Sequence, residues 1–389
     1  MNPRDLDSDL AIQRYFFAGS SLAPALGEIC AESLDLPAPI VTLDANTHLL
    51  ELFHGPTAAF KDFAARFLAA CLARLRTRDD PLRTVLVATS GDTGGAVAAA
   101  FLRRPGFQVV ILYPDGRVSP RQAHQLGAFG DNVHALRVDG SFDDCQRVVK
   151  QLLGDRHLAT RLALTSANSI SLGRLLPQMA YYAYAALHLQ RSFAGETPTL
   201  IVPTGNLGNA LAAILVREMG LPLGDVHFAT NANRTLPDFF RGADYQGRPG
   251  VATLANAMDV GDPSNFERLA WFFKDRDLRN SGIFAHSISD ATLSAVIAKG
   301  EAEYGQVWCP HTACAVQVLQ QLRQSGSTGP VLLVATAHPA KFDSVVEPLV
   351  GHVVAAPPAL AELLARPANS EALTARSDAL IARLEAGWR

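Results

Sequence analysis

The stretch "RTVLVATSGDTGGAVAAAFLRRPGFQVVILYP", residues 83–114, decides the fold. "RTVLVAT" is a short β-rich run, the glycines after it turn the chain, "GGAVAAAFLRR" is helical, and "FQVVILYP" is a second strand. Strand, helix and strand in so short a span make a βαβ unit, with parallel strands and a helix covering the sheet. The alternation continues through the helix "SPRQAHQLGAFG", the strand "VHALRVDG", the helix "SFDDCQRVVKQLLGD" with Ser141 as its N-cap, and a short strand near "RLALTSA". A second series begins at "PTLIVPTGNLGNALAAILVREMGLP" and goes on to "DVHFATNAN". Beyond it lie the helices "ISDATLSAVIAKGEAEYG" and "HTACAVQVLQQLRQSG" and a buried strand "PVLLVATAHPA". From about residue 357 the chain reads as alanine- and leucine-rich helices, while residues 240–285, with frequent Gly, Pro, Asn and Asp, read as irregular segments of a larger unit. The fold class is α/β, with two such units.

At 389 residues there is room for two or three domains of about 150 residues each. Hydrophobic residues make up 48%, charged residues 18%, and the formal net charge is −3. This is an ordinary globular balance. Acids outnumber bases and no basic run is present, so nucleic acid is not an expected partner. The opening "MNPRDLDSDLAIQRYFFAG" lacks the charged-then-apolar pattern of a signal peptide, and no apolar run is long enough to span a bilayer. No membrane association and a cytoplasmic location are therefore expected. Cys30, Cys71, Cys145, Cys309 and Cys314 are odd in number and too scattered for a disulfide framework. In "CPHTAC", Cys309, His311 and Cys314 lie close together but lack the second pair that a zinc site needs, so no metal is expected.

Ligands in open α/β sheets collect at the carboxyl ends of strands, and four such ends are rich in glycine or hydroxyls. In "ATSGDTGG", residues 88–95, Thr89, Ser90 and Thr93 offer hydroxyls where a helix begins, a place that suits an anion and equally a tight capped turn. "PTGNLGN", residues 203–209, is neither a Walker loop nor a GxGxxG fingerprint, yet its backbone amides could cradle one phosphate, with Thr204 and the Asn side chains as further donors. In "TSANSISLGR", residues 165–174, Asn168, Ser169 and Arg174 precede a helix, where an arginine is electrostatically disfavoured unless an anion shares the site or solvent takes it. In "ATAHPAKF", residues 335–342, an apolar strand ends in Thr336 and His338.

The remaining feature is "HGPTAAFKDFAARF", residues 54–67, which places Lys61 between Phe60 and Phe63 after a Gly-Pro turn. Alone it reads as a surface lysine on an amphipathic helix. Beside several anion sites it also suits an amine that must lose its proton and form a Schiff base.

"LELFHGPTAAFKDF", "ATSGDTGG", "TSANSISLGR", "VPTGNLGN", "ATLANAMDV" and "ATAHPAKF", in this order, resemble the motif series of the threonine synthases, which use pyridoxal phosphate on the tryptophan-synthase-β fold. The resemblance runs from about residue 40 to about 345. It implies fold type II: two open twisted sheets flanked by helices, with the active site between a large cofactor-binding domain (1–83 plus 166–389, with an N-terminal helical segment) and a smaller mobile one (84–165). By this resemblance Lys61 carries the cofactor and moves protons, while Thr204, Gly205, Asn206, Leu207, Gly208 and Asn209 hold its phosphate. Thr336 faces the pyridine nitrogen and Asp92 the 3′-oxygen. Thr89, Ser90 and Thr93 take the substrate carboxylate; Asn168, Ser169 and Arg174 take the substrate's own phosphate. The implied reaction converts O-phospho-L-homoserine and water to L-threonine and phosphate, in a monomer or a homodimer.

Two departures stand out. The family's phosphate loop usually reads Gly-Asn-Phe-Gly-Asp, where this chain has Leu207 and Asn209. The family also carries an N-terminal segment with a Thr-Arg-Gly element, so this chain is expected to begin inside the helical region that follows. Alternative functions are a pyridoxal-phosphate lyase that opens a hydroxy- or phosphoamino acid to a 2-oxo acid, and a catalytically silent paralogue that only binds a ligand. A nicotinamide oxidoreductase would need the GxGxxG that the chain lacks.

Overall fold

A computed structural model describes residues 17–168, 171–193 and 196–388. The N-terminal reading, the expected start of the chain and Ser169 lie outside, or partly outside, these residues. In chain order the strands are β1 (Ile40–Asp44), β2 (Thr47–Glu51), β3 (Arg83–Ala88), β4 (Phe107–Pro114), β5 (Val133–Asp139), β6 (Leu164–Ser166), β7 (Thr199–Pro203), β8 (Val226–Thr230), β9 (Ile283–Ser287), β10 (Val331–Ala335) and β11 (Glu371–Thr374). They form two sheets, ordered β1-β2-β10-β7-β8-β9 and β11-β5-β4-β3-β6. Every pairing is parallel except the β1–β2 hairpin.

Parallel sheets need cover on both faces, and the apolar runs supply it. Leu200 and Val202 of β7 point into one core with the helices Gln178–Gln190 and Gly208–Glu218, while Ile201 between them points into another with Asp290–Tyr304 and Pro310–Gln324. In β3, Val85 and Val87 face one way and Leu86 and Ala88 the other, each into its own buried cluster. This period-two alternation with both sides buried makes the strands read as unbroken apolar runs.

Topology then fixes where a ligand can sit. Strand order reverses between β10 and β7 in the large sheet, and between β3 and β6 in the small one. At such switch points the connections leave in opposite directions and open a crevice at the carboxyl ends. Thr336 follows β10, Thr204 follows β7, Thr89 follows β3 and Asn168 lies two residues beyond β6, so all four quoted strand ends border these crevices.

Two segments differ from the sequence reading. The β1–β2 hairpin adds strand structure to a segment expected to be helical, where among the described residues the helix Leu26–Ser33 is followed by these strands. The short strand β11 interrupts the helices of the C-terminal tail and pairs in parallel with β5, so the smaller sheet takes a strand from beyond the 84–165 range. "EALT" carries one β-branched residue and is mostly exposed, so nothing local marks it; Leu373 and Leu380 pack against the buried face of β5, and this tertiary contact holds it there. The helix after the Gly-Pro turn agrees with the sequence and starts at Lys61 itself.

Candidate active site

Lys61 is delivered by a loop with little freedom. Asp62 is buried, and its carboxylate accepts hydrogen bonds from the amide of Thr57 at 2.9 Å and the Thr57 hydroxyl at 2.6 Å. Gly55 must be glycine, because a Cβ there would lie 2.4 Å from Asp62 Oδ2. The loop is also fastened to the end of β10: the amide of Phe60 donates to the Thr336 carbonyl at 2.8 Å, and that of His338 to the Ala58 carbonyl at 3.0 Å. Lys61 thus opens its helix beside Thr336. Phe60 lies under the amine, 4.8 Å from Nζ to ring centre, whereas Phe63 packs edge-on against Tyr181 in the core and does not line the cavity.

Lys61 Nζ lies 3.4 Å from Asp92 Oδ2. Burial pushes the lysine below its ordinary range; Asp92 opposes this, and Lys341 and Arg174 add to it. Asp92 is the first residue of the helix Asp92–Phe101, where the dipole favours a carboxylate. Burial would raise it, but Lys341 and Lys61 outweigh burial and hold it well below the carboxylate range. Its Oδ1 accepts from Lys341 Nζ at 2.8 Å and from Gln122 Nε2 at 3.0 Å. In the same loop the Thr89 oxygen accepts from the amides of Gly91 and Gly94, both at 2.9 Å. That oxygen braces the turn, and Ser90 and Thr93, half-buried, line the cavity beside it.

The loop Thr204–Asn209 enters the helix Gly208–Glu218 through Leu207, which is buried and left-handed at φ 64°. At Gly205 a Cβ would stand 2.9 Å from the Met258 Cα, so backbone there approaches backbone and no side chain fits. The Thr204 hydroxyl, at the cavity wall, donates to the Val202 carbonyl at 2.8 Å. Asn206 Oδ1 accepts from the Ser264 amide and hydroxyl, tying the loop down. Asn209 is different. The Tyr182 hydroxyl donates to its Oδ1, leaving Nδ2 buried without a partner.

Arg174, 2% exposed, donates through Nη1 to the Ala167 carbonyl at 2.6 Å, and its Nε has no partner. Burial pushes it down to about 10, with Asp62 opposing. A buried guanidinium with one carbonyl partner is poorly compensated, and its chemistry suits an anion. It lines the cavity together with Asn168 and Lys150, the latter from the helix Phe142–Gly154 of the smaller sheet.

All the predicted residues but Ser169, which is not among those described, line one cavity of about 670 Å³, with Lys61 and Thr336 on its wall. Sequence reasoning missed Lys341, Gln122 and Lys150, and saw His311 only as a metal ligand. His311 is pushed down to about 4, chiefly by burial, and its Nε2 accepts from the Ala257 amide at 3.1 Å, so it faces the cavity as a neutral ring. Cys309 caps the same helix by accepting from the Thr312 amide, and no cluster of three or more His, Cys, Asp or Glu side chains suited to a metal occurs among the described residues. The one signal the sequence offers for Lys341 is its place between the apolar Ala340 and Phe342.

These residues fit pyridoxal phosphate. Gly205 leaves backbone close to the ligand, the Gly208–Glu218 helix offers free amides, Asn209 Nδ2 lacks an acceptor, and a desolvated amine stands across the cavity. Residues 35–337 match the family described as pyridoxal-phosphate dependent enzyme, and residues 312–383 the one described as threonine synthase, C-terminal. The chain is 40% identical to the threonine synthase of Serratia marcescens over 90% of its own length and 80% of the relative's. It superposes on the crystal structure of threonine synthase from Escherichia coli with a TM-score of 0.90 at 37% identity, covering 98% of this chain and 88% of that one. With the pyridoxal-phosphate-bound threonine synthase from Brucella melitensis the TM-score is 0.87 at 33% identity, with the same coverage. Among the described residues no helix is long and apolar enough to cross a membrane. The chain belongs to the pyridoxal-phosphate-dependent enzymes of fold type II and, within them, to the threonine synthases.

Proposed function

We propose that Lys61 carries the cofactor in this chain and that the cavity converts O-phospho-L-homoserine and water to L-threonine and phosphate. When bound, pyridoxal phosphate supplies an electron-withdrawing ring that acidifies the substrate protons at Cα and then Cβ. The protein does the rest. The amides of Gly205–Asn209 and the Asn209 side chain would hold the cofactor phosphate, Thr336 would offer a neutral hydroxyl to the ring nitrogen, and Asp92 would lie at the 3′-oxygen. Ser90 and Thr93 would hold the substrate carboxylate by their hydroxyls, with Thr89 shaping the turn that presents them. Arg174, Asn168 and Ser169, with Lys150, would receive the substrate phosphate, so that it departs from Cγ already paired with cations. Lys61 Nζ would take the Cα proton and return it, since burial disfavours its charged form.

The observation that carries this reading is one cavity holding a desolvated amine and two separate anion seats, the Thr204–Asn209 loop and Arg174. A dehydratase acting on an unphosphorylated amino acid needs only the first seat. Cavity walls from both sheets support closure of the smaller unit on substrate, and a second hollow of about 500 Å³ between the Phe142–Gly154 helix and residues 248–262 shares Phe142, Gln146 and Lys150 with the first. The reading includes a cytoplasmic location, in keeping with five buried cysteines outside any disulfide, and a monomer or a homodimer. Assay of the loaded enzyme with O-phospho-L-homoserine tests it: threonine and phosphate in equal amounts are expected. Mainly 2-oxobutyrate would show a lyase, and no turnover a silent paralogue.

A further inference from the structure

Asp92 is one carboxylate between two lysines, and the two are not equivalent. Lys341 is 1% exposed; its Nζ donates to Asp92 Oδ1 at 2.8 Å and to the Thr57 carbonyl at 2.7 Å. Lys61 makes a longer contact of 3.4 Å to Oδ2, and its side chain is 14% exposed, toward the cavity. One buried negative charge cannot offset two buried positive ones, so the less well bonded amine gives up its proton. We propose that Lys341 is a positioning residue for the reaction: it occupies Oδ1 of Asp92, keeps that carboxylate charged, and leaves Lys61 as the uncharged amine. The same side chain fixes the loop that delivers Lys61, because its second acceptor is Thr57, whose amide and hydroxyl are held by Asp62.

The surroundings do not supply a substitute. Lys61 is faced by Asp92 and His311 as well as by Arg174 and Lys341, and His311 is the neutral ring already bonded to Ala257. Lys341 is faced by Asp92, Asp62, Lys61, His311 and His338, of which only Asp92 is within bonding distance of its Nζ. Gln122 shares Oδ1 but carries no charge. Removing the charge of Lys341 therefore leaves Asp92 to pair with Lys61 alone, and the proton returns to Lys61.

This inference rests on Lys61 being the reactive amine, and the test separates the two claims. The full-length chain, before pyridoxal phosphate is added, is pulsed with acetic anhydride across a pH series, and acetylation of Lys61 is read by peptide mass spectrometry. In the unaltered protein the midpoint for Lys61 should lie below that of ordinary lysines. In Lys341→Met it should rise by roughly one to three pH units, and Lys341→Arg should restore most of the difference. Lys341→Gln, which keeps a donor for the Thr57 carbonyl, carries the test should the methionine variant not fold. A low midpoint unmoved by either uncharged variant overturns the role of Lys341 and spares that of Lys61. A midpoint at the ordinary lysine value in the unaltered protein overturns both.

Discussion

Arg174 shows how much a single residue's surroundings decide. In the sequence it is one arginine among many, and solvent would be its usual partner; in the fold it lines the cavity, buried and with an unpartnered Nε. A guanidinium so placed would contribute through an anion bound to it, as proposed above. Arg174→Met should lower kcat/KM for O-phospho-L-homoserine roughly thirtyfold, the worth of about 2 kcal/mol of charge-assisted bonding, while cofactor affinity, read by absorbance titration, stays unchanged. Weakened cofactor binding instead would assign Arg174 to the other phosphate. Lys341 marks the opposite limit of legibility. Its apolar neighbours hinted at burial, but its partner Asp92 lies far off in sequence, and only the fold brings the two charges to 2.8 Å.

At the scale of elements, the lysine loop is a device that converts local chemistry into placement. Asp62 closes it, Gly55 leaves room for Asp62, and the end of β10 fastens it. Gly55→Ala would push a methyl group against Asp62, cost roughly 2 kcal/mol in overpacking and lost hydrogen bonds, and slow attachment of pyridoxal phosphate. Denaturant midpoints and the rise of cofactor absorbance measure the two effects; no change in either would show that the loop does not govern Lys61. The βαβ series was readable because each strand is a short β-rich run and each helix has its own punctuation, as with Ser141, whose hydroxyl accepts from the Asp144 amide as an N-cap should. β1, β2 and β11 were not readable, since a hairpin at a sheet edge and four mostly exposed residues owe their state to partners elsewhere.

For the whole molecule, burial of histidines sets the response to acid. His134, His227, His311 and His338 are each pushed down to about 4, with burial the first cause. Between about pH 4 and 6.5 the unfolded chain then binds more protons than the folded one, so these groups destabilise the fold progressively as pH falls through that window. Asp259, pushed up to about 7 by burial, and Asp62, also raised by burial, act in the opposite sense, while His48 and His286, lowered by burial, add to the four. Unfolding free energy from urea titrations should therefore rise by roughly 2 kcal/mol or more from pH 4 to 6.5; a flat or falling profile would mean these histidines are solvated. The two-sheet architecture was legible, because alternating strands and helices permit few arrangements. The convergence of four distant strand ends on one cavity was expected only through the family resemblance, because it depends on strand order, which no local pattern encodes.

The central claim is that Lys61 carries the cofactor, and borohydride reduction of the pyridoxal-phosphate-loaded protein, followed by peptide mapping, tests it most directly. A single pyridoxyl-phosphate label is expected, on Lys61, and none on Lys341 despite its place beside the same carboxylate. A label on Lys341 or any other lysine, or none on a protein that has bound the cofactor, would contradict it.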